Sequence, residues 1–156
     1  MLSVELIDRA SVKLAALPEQ IRSRLRVAII HDGKDLVARV RAKLSGAVLH
    51  IRSGALINSI RSEMVENSTS IYGRVYSSGV PYARIHEFGG QTKPHMIRPV
   101  KAKALHFMMG GEDVFAQSVM HPGSKIPARS YLRSSLTEMK AQIEADMVRA
   151  AKPVWN

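Results

Sequence analysis

His86 and Glu87 stand side by side in Val80-Pro81-Tyr82-Ala83-Arg84-Ile85-His86-Glu87-Phe88-Gly89-Gly90, a stretch that ends in paired glycines. An imidazole beside a carboxylate could bind zinc or move protons, and a glycine pair could wrap a phosphate. Each chemistry carries a spacing requirement. A zinc-protease helix needs two histidines four apart with a glutamate between, so that both rings face one way and the carboxylate activates water. Position 90, where the second histidine would fall, is glycine, and no two of His31, His50, His86, His95, His106 and His121 lie three to five residues apart. A metal site would have to be assembled from distant residues such as His86, His95 and His121. No serine sits in a Gly-x-Ser-x-Gly elbow. Gly89-Gly90 and Gly110-Gly111 lack the following Gly-Lys-Ser/Thr of a phosphate loop. With no cysteine in the chain, thiolate ligands, thiol nucleophiles and disulfides are excluded. The expectation is a protein that is not an enzyme and has no cofactor, metal or small-molecule substrate.

Charge points toward a partner instead. The formal net charge is +10 and the pI is near 10.3, a balance suited to nucleic acid, anionic lipid or an acidic protein surface. Arg22, Arg24, Arg26, Arg39, Arg41 and Lys43 load one segment, and Lys93, Arg98, Lys101, Lys103, Lys125, Arg129 and Arg133 load another. Residues two apart fan around a helix, so Arg22, Arg24 and Arg26 form no single stripe. No zinc finger or aromatic RNA-binding strand is present. Any nucleic-acid contact is therefore expected to be with the backbone and without sequence specificity. No apolar run approaches the roughly 20 residues that span a bilayer, and the first residues lack the basic-then-apolar order of a secretory signal; no membrane role is expected.

The elements that must position these residues follow from periodicity. Residues 3–16 read as a short helix ended by Pro18. From Glu19 to about Leu44, Ile21, Leu25, Ala28, Ile29, Leu36, Val40 and Leu44 recur at steps of three and four, the face of a long amphipathic helix. Gly33 could break it, and Gly46 stops it. Ser53 would cap a short helix carrying Leu56 and Ile60. Two strands follow within residues 61–77, joined near Glu66-Asn67-Ser68-Thr69. Further strands are expected at residues 96–99, 104–108 and 113–119, and a loop at 121–129. A second long helix runs from Ser130, its cap, along Leu132, Leu136, Met139, Ile143 and Met147. The prediction is one α+β domain over residues 1–156: N-terminal helices to 48, short helices and a small, mostly antiparallel sheet over 50–129, a C-terminal helix over 130–152, and a tail over 153–156 carrying Trp155. The sheet packs against two long amphipathic helices, with a projecting hairpin or loop.

Four blocks then occur in order: VPYARIHEFGG at 80–90; Ile97-Arg98-Pro99 with Lys101-Ala102-Lys103-Ala104-Leu105-His106-Phe107; His121-Pro122-Gly123; and Ile126-Pro127-Ala128-Arg129-Ser130-Tyr131-Leu132. Together with Ser53–Ile60 they resemble the tail-completion, or head–tail joining, proteins of tailed bacteriophages, a group also described as minor tail or virion morphogenesis proteins. The resemblance covers residues 50–136. It implies a structural virion protein without enzymatic activity. Such a protein assembles in the host bacterial cytoplasm into a ring, usually hexameric, at the neck, between head connector and tail terminator or tail tube, with genomic DNA in its lumen. The neighbouring tail-terminator role and a basic non-specific nucleic-acid-binding role remain the alternatives. Family members usually carry proline where this chain has Ser130.

Within that frame Tyr82, Ile85 and Phe88 would form the apolar side of a short helix, and the glycines a positive-φ exit. Arg84, His86 and Glu87 would face outward or toward a neighbour. Lys125, Arg129 and Arg133 join them as candidate subunit contacts, and Arg98, Lys101 and Lys103, on a hairpin, are candidates for the DNA channel or an acidic partner.

Overall fold

The computed structural model describes residues 2–6, as backbone only, and residues 17–47, 53–67 and 69–152. The first strand, β1 (Leu2–Leu6), opens the chain. It corrects the expected helix: Leu2, Val4 and Leu6 alternate with Ser3 and Glu5, the period of a strand, and a neighbouring strand offers its backbone edge. The remainder of that expected helix, residues 7–16, and the tail with Trp155 lie outside the described residues.

Helix α1 (Glu19–Ala42) is the long amphipathic helix the sequence predicts, with Ile29, Leu36 and Val40 buried along it. It runs through Gly33 without a break. Gly33 is buried, and a Cβ added there would meet the Cβ of Ser62 at 3.5 Å, an ordinary contact. The methyl group fits, so Gly33→Ala is expected to stabilise the protein by about 0.5–1 kcal/mol through helix propensity and a less flexible unfolded chain. Urea unfolding checks this, and a lower midpoint would contradict it. A π-helical turn at Lys43–Ala47 ends the helix, with Gly46 at φ 135°.

A single turn, α2 (Ala55–Asn58), precedes strand β2 (Ile60–Glu66), so Ile60 opens a strand instead of closing a helix. The turn is too short for a side-chain cap; Ser53 Oγ only accepts a long 3.4 Å bond from the Ala55 N–H. Strand β3 (Ile71–Ser77) pairs with β2 on one side and β1 on the other, both antiparallel, giving the order β1-β3-β2. The turn between β2 and β3 is held by the Asn67 side-chain oxygen, which accepts from the N–H groups of Thr69 and Ser70. Helix α1 packs on this sheet with one side and on helix α4 (Leu132–Ala151) with another. Leu36, Val40, Leu44, Ile60, Val75, Tyr131, Leu132, Met139 and Ile143 form the core between them. This is an α+β arrangement.

Most of the basic charge on α1 is tied within the body. Arg22 and Arg26, four residues apart on one face, both reach Glu66 at 2.7 and 2.6 Å. These two guanidiniums hold the Glu66 carboxyl at about 2. Arg39 and Lys43 reach Glu138 of α4, and Arg24 and Arg41 donate to the carbonyls of Lys152 and Ile60. The helix that sequence analysis loads with charge for a polyanion is therefore committed to internal acids and carbonyls.

Candidate functional site

Between β3 and α4 the chain forms helix α3 (Ala83–Phe88) and then six short strands. These are β4 (Gly90–Gln91), β5 (His95–Ile97), β6 (Leu105–Met109), β7 (Glu112–Ala116), β8 (Val119–His121) and β9 (Lys125–Ile126). They pair in nested order, β4 with β9, β5 with β8 and β6 with β7, all antiparallel. Residues 90–126 are thus one long, interrupted hairpin, an arm whose tip is the turn at Gly110-Gly111. The pairing register stays constant from Gly90↔Ile126 to Ile97↔Val119. It then shifts, because the seven residues 98–104 face only Gln117 and Ser118 before Leu105 meets Ala116.

That geometry corrects two expectations. Lys101 and Lys103 lie in a wide bulge half-way along the arm, together with Arg98, and the hairpin turn is elsewhere. The expected strand at 113–119 is two strands, β7 paired with β6 and β8 paired with β5, separated by Gln117 and Ser118 opposite the bulge. Both follow from the same cause: a segment without in–out hydrophobic alternation leaves register to backbone pairing alone.

The arm is anchored by a single carboxylate. Glu87, at the end of α3, is fully buried. Its Oε2 accepts from the backbone N–H of Tyr131 and Leu132 at 2.8 and 2.9 Å. Its Oε1 accepts from the Arg133 N–H at 3.0 Å, the Ser130 hydroxyl at 2.8 Å and the Arg133 Nε at 3.3 Å. The first N–H groups of α4 have no partner within the helix; a carboxylate from 45 residues earlier in the chain supplies one and complements the helix dipole. Burial pushes the Glu87 carboxyl upward, but the donors from Leu132, Arg133, Ser130 and Tyr131 outweigh it and hold it below the ordinary range.

Glu87 is therefore not an outward subunit contact, because its acceptor sites are taken by its own chain. Nor does Ser130 cap α4 alone: it donates to Glu87 and accepts only a 3.3 Å bond from the Ser134 N–H. A proline at 130, as in the resembling family, could not make that hydroxyl contact.

Three further ties close the neck of the arm. The buried Tyr131 hydroxyl donates to the Ala83 carbonyl at 3.2 Å, and the Arg129 N–H to the His86 carbonyl at 2.8 Å. Gly89, at φ 72°, lies so close to the returning strand that a Cβ there would be 2.8 Å from the Ala128 nitrogen. A side chain at that position would both strain the backbone and collide with main chain. This is the glycine exit anticipated from the sequence, with its steric reason.

The helix preceding it is turned the other way from expectation. Ala83 and Glu87 are the buried side of α3, while Tyr82 and Phe88 are exposed and Ile85 is half-buried. The pull of the Glu87 cap on α4 decides which side faces in. Arg84 is exposed and Phe88 lies under the Arg133 guanidinium, 4.5 Å from its centre. His86 is half-buried with its Nδ1 unpartnered, and burial, with the Arg129 charge, holds its pKa below the usual histidine value.

From Phe88 to Ser130 no residue is buried. Large apolar side chains stand open along this length: Met96, Ile97, Val100, Met108, Phe115 and Met120, with Val100 94% and Phe115 70% exposed. The same stretch carries six lysines and arginines against two acids. Lys93, Arg98, Lys101, Lys103, Lys125 and Arg129 are all exposed, and none makes an ion pair among the described residues. Arm and body thus differ in kind. The body has a core and paired charges; the arm has no buried residue, and its lysines and arginines are unpaired among the described residues, with His106 and Asp113 its one charged contact at 2.7 Å.

The comparisons add no relative: no family model, curated protein or solved structure matches this chain. Its chemistry must be judged on geometry. His95 and His121 are brought together as cross-strand partners with stacked rings 5.0 Å apart. His86 is on α3, engaged at the neck, and no three His, Cys, Asp or Glu among the described residues could hold a metal ion. A shallow depression at the start of α1, lined by Glu19, Gln20, Ser23 and Arg24, offers a hydroxyl with no histidine to activate it. Among the described residues no helix is long and apolar enough to cross a membrane. What the arrangement can do is present an exposed, cationic and apolar arm on a packed body.

Proposed function

We propose that this chain is a structural virion protein of a tailed bacteriophage, one that completes the tail and joins it to the head as part of the neck ring around the DNA channel. The observation that carries the reading is the arm. A stretch from Phe88 to Ser130 with no buried residue, open methionines and phenylalanine, and clamped ends is a surface made to be covered by protein. Closed rings form when one face of a subunit meets a different face of the next, and an arm reaching out from a compact body supplies two such faces. The four sequence blocks that resemble tail-completion proteins fall on α3, the arm and the start of α4, the parts the Glu87 clamp ties together.

In this reading the protein is a non-enzymatic homo-oligomer, a hexamer by the resemblance, assembled in the bacterial cytoplasm and functioning in the virion neck. Its partners are the head connector and the tail terminator or tail tube, and the tail-terminator role itself is the near alternative. Arg84, Lys125, Arg129 and Arg133 lie at or near the neck of the arm and remain the candidate subunit contacts, while Arg98, Lys101 and Lys103 in the bulge face the lumen or an acidic partner. Electron microscopy of the purified protein mixed with the connector or tail terminator of its phage tests this. A ring, or binding to either component, is expected; absence of both would sink the reading.

The second reading, a basic nucleic-acid-binding protein, is favoured by the six arm cations that make no ion pair among the described residues. Duplex affinity measured across salt separates the two. If Arg98, Lys101 and Lys103 each touch a phosphate, replacing all three with alanine lowers the log–log salt slope by about 3. An unchanged slope removes them as DNA contacts.

A further inference from the structure

We propose that Asp32 of α1 and Asp146 of α4 act as one acid pair that holds a single proton in the seam between the two helices, so that loss of this proton loosens the seam. Asp32 is 1% exposed, and among the described residues neither of its carboxylate oxygens accepts a hydrogen bond. An ionised carboxylate in that state is among the costliest arrangements a protein can contain. Asp146 lies on α4, the helix packed against α1, with its side chain only 19% exposed, and its charge raises the Asp32 carboxyl further. With one proton between them, the protonated carboxyl becomes a donor to the other, and both burial and repulsion are relieved.

The charged groups around the pair leave Asp32 itself uncompensated. On α1, the exposed His31 ring lies 3.8 Å from Asp32 and also 3.5 Å from Asp35, which shares its attraction. On α4, Arg149 reaches Asp146 at 2.8 Å and leaves Asp32 unpartnered. The neighbouring Gly33 faces Ser62 of β2, which is uncharged. Burial first, then the charge of Asp146, push the Asp32 carboxyl up to about 6, with His31 opposing weakly.

The sign follows. Asp32 titrates near 4 in the unfolded chain and higher when folded, so the folded state binds the extra proton and loses stability as pH rises from about 4 to about 6, then stays at the lower level. The proton matters most in the part of the seam that lacks the Glu138 bridges to Arg39 and Lys43.

The experiment is thermal unfolding of the full chain at pH 5 and pH 7.5, alongside carboxyl-carbon NMR titration. The wild type is expected to melt about 3–5 °C lower at pH 7.5 than at pH 5 on account of this pair. Asp32→Asn supplies a permanent donor of the same shape, and is expected to erase that difference and melt higher than wild type at pH 7.5. Asp35→Asn, on the exposed neighbour, is expected to keep the difference. An Asp32 carboxyl titrating near 4, or a pH 5 to 7.5 difference that survives Asp32→Asn, would overturn the proposal. Should Asp32→Asn fail to fold, the NMR midpoint of the wild type decides alone.

Discussion

Glu87→Ala is expected to lower the stability of the folded protein by about 3–5 kcal/mol, the largest effect of any single side chain outside the apolar core. Removing the carboxylate leaves the N–H groups of Tyr131, Leu132 and Arg133 without an acceptor, and the first two are in buried positions. Each orphaned buried donor costs about 1–3 kcal/mol, with some relief from water at the exposed Arg133. For a domain of this size that loss corresponds to a melting temperature lower by about 10 °C. Because the same oxygens join the end of α3 to the start of α4, the neck of the arm opens as well, and limited proteolysis should cut near residues 88–90 and 127–130 sooner than in the wild type.

The pH dependence has a definite sign. The Glu87 carboxyl is held below its ordinary value in the folded state, so its contribution is complete above the unfolded glutamate pKa of about 4.3. It is lost as pH falls through the depressed folded value. Glu87→Gln is expected to flatten that acid limb. A Glu87→Ala protein within 1 kcal/mol of wild type in urea unfolding would show that the clamp contributes little.

The second large effect is on assembly and leaves folding untouched. Phe115 and Met120 are 70% and 61% exposed on β7 and β8. Changing both to aspartate removes only an exposed contact, the stack of Phe115 on His106 at 4.8 Å, so the melting temperature should fall by no more than a few degrees. If the arm is covered by a neighbouring subunit or neck partner, these charges become buried and unpaired on association, at a cost of several kcal/mol. Ring formation or partner binding should fall at least tenfold, measured by sedimentation or electron microscopy. Assembly unchanged by the double substitution would remove the apolar face of the arm from the interface.

How much of this was legible beforehand divides along the line between body and arm. Helices α1 and α4 were readable because each buries one side, which writes a stripe such as Leu36, Val40 and Leu44 or Leu132, Met139 and Ile143 into the sequence. Strand β3 was readable for the same reason, since Gly73, Val75 and Ser77 alternate buried with half-buried neighbours, whereas β2 buries only Ile60 and was marked by the turn residues after it. In the arm nothing is buried, so no pattern marks which strand meets which; the bulge at 98–104 and the nested ladder emerge only from the backbone. Strand β1 was missed because five residues hold too little period to compete with the helical spacing that follows.

The candidate contacts fared according to what each touches. Glu87 looked like a surface acid because glutamate usually is one, and its true partners start some 43 residues downstream, beyond any local pattern. Asp32 gave no signal at all: an Asp on a helix is ordinary until the packing of the facing helix buries it with no hydrogen-bond partner among the described residues. By contrast Arg98, Lys101, Lys103, Lys125 and Arg129 are as exposed as the sequence suggested, and none makes an ion pair among the described residues. Arg133 is half-committed, bonding Glu87 and covering Phe88.

The claim at the centre is that the arm is the surface covered on assembly. Amide hydrogen exchange, read segment by segment on the free protein and on the same protein bound to its connector or tail terminator, measures this directly. The expected result is strong new protection across residues 90–126, concentrated in β5 to β8, with little change in the already protected core helices α1 and α4. An arm that exchanges as fast in the assembled particle as in the free chain, with protection gained elsewhere, would contradict it.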